Sequence, residues 1–119
     1  MAQGIEAAAL RDAIMDDDEI AVFDVREEGV FGQSHLLRSI SVPLSRFEFL
    51  YSKFAPRRSV RVVLMDANDG LAARAADILA TAGYSDISIL NGGVEGWGAA
   101  GFELFSGVNV PSKVFGEHV

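Results

Sequence analysis

A carboxylate, Asp66, stands directly after an apolar run, Val60 to Met65, and shortly before a stretch of helical period that begins at Leu71. Between them lies Asp66-Ala67-Asn68-Asp69-Gly70, a string of turn formers. A residue between the carboxyl end of a strand and the amino end of a helix sits among free backbone N–H groups, and the helix dipole adds partial positive charge. Open α/β sheets bind their ligands at this edge. A nucleophile at position 66 would stand at the centre of an anion cradle, and the residue there is an oxygen acid. Aspartyl-phosphate chemistry does use an Asp at a strand end, but no second acidic pair and no lysine is spaced recognisably for magnesium and phosphate. A calcium loop fails as well. Asp66 to Gly70 is one residue short of the D-x-[DN]-x-[DN]-G spacing, and the twelfth position, Asp77, falls inside the helix.

The other candidates are fewer. Asp24 and Arg26 close a second apolar run, Ile20 to Val25. They are expected to ion-pair at the carboxyl edge and pin the loop that follows, since neither has a nucleophile to serve. His35 is of the right type for a general base, but a lone histidine beside a short strand reads as a structural donor or acceptor. Asp69 reads as an ordinary helix N-cap, and Asp16-Asp17-Asp18-Glu19 as a solvated connection. The chain has no cysteine, which excludes disulfides, cysteine-ligated metal and thiolate chemistry. His35 and His118 alone are too few for an all-histidine zinc site. Neither a metal nor a cofactor is expected. A net charge of −7 offers no footprint for nucleic acid or an anionic membrane surface. No apolar run approaches the ~20 residues that span a bilayer. The amino-terminal MAQGIEAAALRD has no basic segment before an apolar core, so the expected location is cytoplasmic.

The elements that must position these groups follow from periodicity. At 119 residues, half of them hydrophobic, one domain with a substantial core is expected. Ile5 to Met15 predicts a helix, and Ile20 to Val25 a buried strand. Phe31 is expected in the core and Gln33 to Arg38 in a loop. Ser39 to Val42 predicts a short strand stopped by Pro43. Leu44 to Phe54 predicts a helix capped by Ser45. Val60 to Met65 is apolar almost throughout, as suits a central parallel strand buried on both faces. Leu71, Ala75, Ile78, Leu79 and Ala82 then share one helix face, with Arg74, Asp77 and Thr81 opposite. Gly83 is placed to end that helix in a left-handed conformation. Ile87 to Leu90 predicts a strand, Asn91-Gly92-Gly93 a turn, and Val94 to Ala100 a short helix anchored by Trp97. Phe102 to Val119 has no clear period, and its Gly107, Pro111 and Gly116 read as linker. Such alternation implies an α/β layer structure with a mainly parallel sheet.

Taken together, these segments resemble the rhodanese domain across about residues 5 to 103. Asp24-Val25-Arg26-Glu27 matches that family's strand-end motif. His35 and Pro43-Leu44 keep parts of its Gly-His-Ile-Pro-Gly-Ala loop region, with Leu37 and Arg38 replacing the Pro-Gly. Arg74-Ala75-Ala76 matches the helix after the active loop, and Leu90-Asn91-Gly92-Gly93 with Trp97 matches the ending. The resemblance implies a three-layer α/β/α fold, about five mostly parallel strands with helices on both faces. It also implies sulfur transfer, in which a loop cysteine takes sulfane sulfur from thiosulfate or a protein persulfide and passes it on. Counted back from Arg74, the cysteine's position is Asp66. The loop Asp66-Ala67-Asn68-Asp69-Gly70-Leu71 lacks the arginine or lysine and the nearby serine or threonine usual in active relatives, and Asp69 would repel thiosulfate. A carboxylate does not carry sulfane sulfur as a thiolate does.

The expectation is therefore a catalytically silent domain in which the Asp66 carboxylate itself occupies the anion cradle and accepts the loop N–H groups. Asp24, Arg26, His35 and Arg74 would support that loop. Residues 1–105 would form the domain and 106–119 a linker or tail, as in multi-domain rhodanese proteins, where an inactive domain commonly accompanies an active one. Its partners would be other domains of the same chain or another protein. The sequence does not reveal the oligomeric state.

Overall fold

In the computed structural model, which describes residues 2–16, 19–36 and 38–105, five strands form one sheet. They are β1 (Gln3–Ile5), β2 (Ile20–Asp24), β3 (Ser39–Ser41), β4 (Arg61–Met65) and β5 (Ile87–Leu90). Their order is β1-β5-β4-β2-β3, and each neighbouring pair is parallel. The helices are α1 (Ala7–Met15), α2 (Glu28–Gln33), α3 (Phe47–Phe54), α4 (Leu71–Thr81) and α5 (Gly93–Ala99).

Alternation along the central strands builds two cores. Ala21 and Phe23 of β2 and Val62 and Leu64 of β4 face Phe47 of α3 and Ala72, Ala75 and Leu79 of α4. Ile20, Val22, Val63 and Met65 face the other way, against Leu10 and Ile14 of α1 and Val94 and Trp97 of α5. The sheet therefore lies between two helical layers, and β2 and β4 are apolar at nearly every position because both of their faces are covered. The alanines of α4 keep that helix close to the sheet, while Arg74, Asp77 and Thr81 are exposed. Gly83, at φ +97°, ends α4 as expected. Its N–H bonds to Ala80 O at 3.1 Å and that of Tyr84 to Leu79 O at 3.0 Å, the paired closure that a left-handed residue makes possible.

Four local expectations are corrected. Ile5 belongs to an edge strand rather than to the first helix. It is the only buried residue of β1, so no alternation marked the strand. Between β2 and β3 no helix is expected and the loop is placed at Gln33 to Arg38, but Glu28 to Gln33 forms a helix that carries two glycines, residues poor in helix propensity. The expected helix from Leu44 begins instead with a 3₁₀ turn, Leu44–Arg46, and α3 proper starts at Phe47. Ser45 does not cap it. The N–H of Leu44 is held by Val25 O at 3.1 Å, and Ser45 Oγ donates to Glu27 Oε2 at 3.0 Å. Asp69 is not the N-cap of α4. Gly70 takes that position, and Asp69 Oδ1 reaches the Leu71 N–H at only 3.4 Å. The expected tail, residues 106–119, lies outside the described residues, as do Asp17 and Asp18.

Candidate functional site

The carboxyl ends of β2 and β4 are neighbours, with Asp24 in register with Met65. Asp66 follows at once and is 5% exposed. Its side chain turns inward over the start of α4. Oδ1 accepts the Asn68 N–H at 2.9 Å and Oδ2 accepts the Ala72 N–H at 3.0 Å. Ala72 is the second residue of α4, so Asp66 makes the bond that an N-cap side chain ordinarily makes, from outside the helix. The bonds are charge-assisted and lie in the favourable field of the helix amino end. Asn68, at φ +64°, takes the left-handed conformation that Asn tolerates best among residues with a side chain. Ala67, Asn68, Asp69 and Gly70 are exposed, so the loop surface is open above a buried carboxylate.

A second loop backs the first. Val94 N–H, in the first turn of α5, donates to the Asp66 carbonyl at 3.0 Å. Gly93 lies directly beneath, at φ +63°, and a Cβ there would be driven into that carbonyl oxygen. The sequence marked Asn91-Gly92-Gly93 as a turn but gave no sign that it supports the loop. The usable signal is the glycine pair, since a second consecutive glycine points to a close backbone approach.

Asp24 and Arg26 form the expected ion pair. Asp24 is fully buried, and its carboxylate takes Arg26 Nε at 2.9 Å and Nη2 at 2.7 Å, together with the Arg26 backbone N–H at 3.0 Å. The same guanidinium donates to Ser34 O, tying the end of α2 to the end of β2. His35 is fully buried and stacks on Phe31, with ring centroids 4.1 Å apart. Nδ1 lies 2.9 Å from Phe31 O and, facing a carbonyl, carries the proton. Nε2 is buried with no partner among the described residues. Its backbone exchanges two hydrogen bonds with Phe105, a contact the sequence did not signal. Arg38, where the resemblance places a glycine, has φ +66°, in the left-handed region that favours glycine. Arg74 is exposed beside Leu71, and among the described residues it makes no ion pair. Asp66 likewise meets no cation there. Among the described residues no helix is long and apolar enough to cross a membrane, and no group of three or more His, Asp and Glu is placed to hold a metal.

The Rhodanese-like domain family model matches residues 6–100. The thiosulfate sulfurtransferase of Pseudomonas aeruginosa is 42% identical over 92% of this chain, with a TM-score of 0.86. This chain spans only 21% of that protein's length. A rhodanese-related protein of Thermoplasma volcanium, 24% identical, superposes over 87% of this chain and 97% of its own, with a TM-score of 0.74. The Escherichia coli 3-mercaptopyruvate sulfotransferase SseA, 20% identical, superposes over 94% of this chain and 53% of its own, with a TM-score of 0.77. No curated protein sequence matches. The family match, the strand order and the motifs on β2, α4 and α5 agree, and the chain belongs to the rhodanese-like domain family.

Proposed function

We propose that this is a rhodanese-like domain that does not itself transfer sulfur and instead has a structural, regulatory or protein-binding role. The observation that carries the reading is the inward turn of Asp66. Its two oxygens take the N–H groups of Asn68 and Ala72, donors that would otherwise be open to a bound anion. Sulfur transfer needs a nucleophile that forms an S–S bond with the donor and then releases the sulfane sulfur to an acceptor. The chain has no thiol to do so. Asp66 stands where the family's cysteine is expected, and Asp69 adds negative charge where an anionic donor would approach. Asp24, Arg26 and His35 then act as supports around the loop region, while Arg74, which is exposed, does not hold the loop.

The test is a thiocyanate assay on the purified chain with thiosulfate and cyanide. Formation no faster than in buffer is expected. Turnover that scales with protein concentration would refute the proposal.

A second reading has one observation in its favour. The Pseudomonas thiosulfate sulfurtransferase is almost five times as long as the region it shares with this chain, at 42% identity. In that reading this domain is one piece of a longer sulfurtransferase, and a different domain of the same chain carries the cysteine. The sequence of the parent gene beyond Val119 decides it.

A further inference from the structure

We propose that the groove between α3 and α4 docks a positively charged amphipathic helix of a partner protein. This rests on the domain being a binding module, and it assigns the place and the chemistry of the binding.

Two shallow cavities, of about 430 Å³ and 360 Å³, share Ile78 and run as one groove from the active-loop end of α4 to its carboxyl end. Leu44, Leu71 and Ile78 floor the upper part, and Tyr51, Ile78 and Ala82 the lower. All five are half-buried, packed on the core below and open above. The rim is charged and exposed. Among the described lining residues Glu27, Glu48 and Asp77 outnumber Arg74, and Arg58 is tied to Ala82 O at the carboxyl end of the groove. A floor of half-covered apolar side chains under an acidic rim fits a segment with an apolar face and basic flanks.

The walls narrow the choice further. Both are built from helices and a 3₁₀ turn, whose backbone groups are mostly bonded internally, so the groove offers no strand edge to extend and an extended peptide gains no ladder. The 11 residues of α4 run about 16 Å at 1.5 Å per residue, a match for some three turns of a docked helix. A second copy of this chain is a poor occupant, because two molecules of net charge −7 would bring acid to acid. The same rim repels an anionic lipid surface.

The probe is a synthetic helix of roughly 14 residues, leucine on one face and lysine on the other, with a leucine–glutamate helix as control. Binding is read by anisotropy, and its place by amide shift mapping on the full chain. The lysine peptide is expected to bind, with shifts gathered on Leu44 to Tyr51 and Leu71 to Ala82, and to weaken as salt is raised. The double charge reversal E48R/D77R should weaken it by about tenfold or more and leave the circular dichroism unchanged. The glutamate peptide should not bind. Absence of binding by the lysine peptide overturns the proposal. So do shifts spread over other acidic surfaces, an affinity indifferent to E48R/D77R, or concentration-dependent self-association that buries the groove. These failures are separable from failure of the silent-domain reading, which appears as thiocyanate turnover and leaves the binding data unaffected.

Discussion

Asp24 and Asp66 pose the same physical problem at the ends of adjacent strands, and the chain solves it in two ways. Both carboxylates are buried, one at 0% and the other at 5% exposure. Removing a carboxylate from water is costly unless partners replace the water. Asp24 is compensated by a cation, with the Arg26 guanidinium on both of its oxygens. Among the described residues Asp66 is compensated by backbone, through the N–H groups of Asn68 and Ala72. The first arrangement locks a loop by charge and resists any change to one partner. The second needs no other side chain, only a left-handed Asn68 and the amino end of α4. The edge of the sheet that binds ligands in this architecture is thus held by an ion pair on one side and by a carboxylate in the loop's own cradle on the other.

The largest expected effect lies at the ion pair. Asp24→Asn leaves a mostly buried guanidinium without its counter-charge and should destabilise the domain by about 3–4 kcal/mol in urea unfolding. Arg26→Met should cost a similar amount. The double variant D24N/R26M should cost clearly less than the sum, since no lone charge then remains buried. Additive losses would show that the pair is not coupled, and the contrast with Asp66 would collapse.

At Asp66 the loss should be smaller. Asp66→Ala frees two N–H groups beneath an exposed loop, where water can partly replace the carboxylate, and should cost about 2 kcal/mol. Asp66→Asn keeps one acceptor and should cost about 1 kcal/mol. A loss at Asp66→Ala equal to that at Asp24→Asn would mean that water does not enter the loop. No loss would mean that the two N–H groups contribute nothing to the fold. Gly93→Ala tests the support beneath. The added methyl meets the Asp66 carbonyl at a positive φ and should cost about 1–3 kcal/mol. It should also perturb the Asn68 and Ala72 amide resonances, which a purely local effect at the α5 end would leave in place.

Much of this was legible in the sequence, and the exceptions share a cause. The run Val62 to Met65 was readable because it is apolar throughout and covered on both faces, and the face Leu71, Ala75, Leu79 because it recurs at helical steps and packs on the core. The end of α4 was readable because Gly83 is a local requirement. The ion pair was readable because its partners lie two residues apart. β1 was not, since Gln3 and Gly4 are exposed and the strand exists by pairing with β5, more than eighty residues later. The cap of α4 was misassigned for a related reason. Asp69 has the right type and place, but the Asp66 oxygen is already committed to the Ala72 N–H. Position 66 was singled out by its place between the apolar run and the helical period, and the resemblance reached it again by counting back from Arg74. The backing of its carbonyl by Val94 came from a turn with no side-chain signature beyond two glycines. Local rules singled out the candidate residues; contacts distant in sequence decide what holds them.

Tyr84 extends the contrast to a buried group that is neutral, and there the smallest effect is expected. Its hydroxyl donates to Ala55 O, the residue is 4% exposed, and its ring packs edge-on to Tyr51 with centroids 5.7 Å apart. Burial pushes its pKa above the ordinary value of 10.0, the Arg58 guanidinium 5.6 Å from the ring opposes that shift, and Tyr51 adds slightly to it. A phenol whose folded pKa is raised holds its proton better in the native state than in the unfolded one. Its contribution is therefore complete below about pH 10, the unfolded value, and is lost as pH rises through the higher native value. Tyr84→Phe should cost only about 0.5–1.5 kcal/mol at neutral pH, the worth of one neutral hydrogen bond. Urea midpoints measured from pH 8 to 11 should fall more steeply for the parent than for Tyr84→Phe above about pH 10, with the other tyrosine common to both. Parallel curves would mean that Tyr84 ionises as freely in the fold as outside it. In that case burial at this end of α4 does not resist charge, and the two buried carboxylates would owe their stability to their particular partners alone.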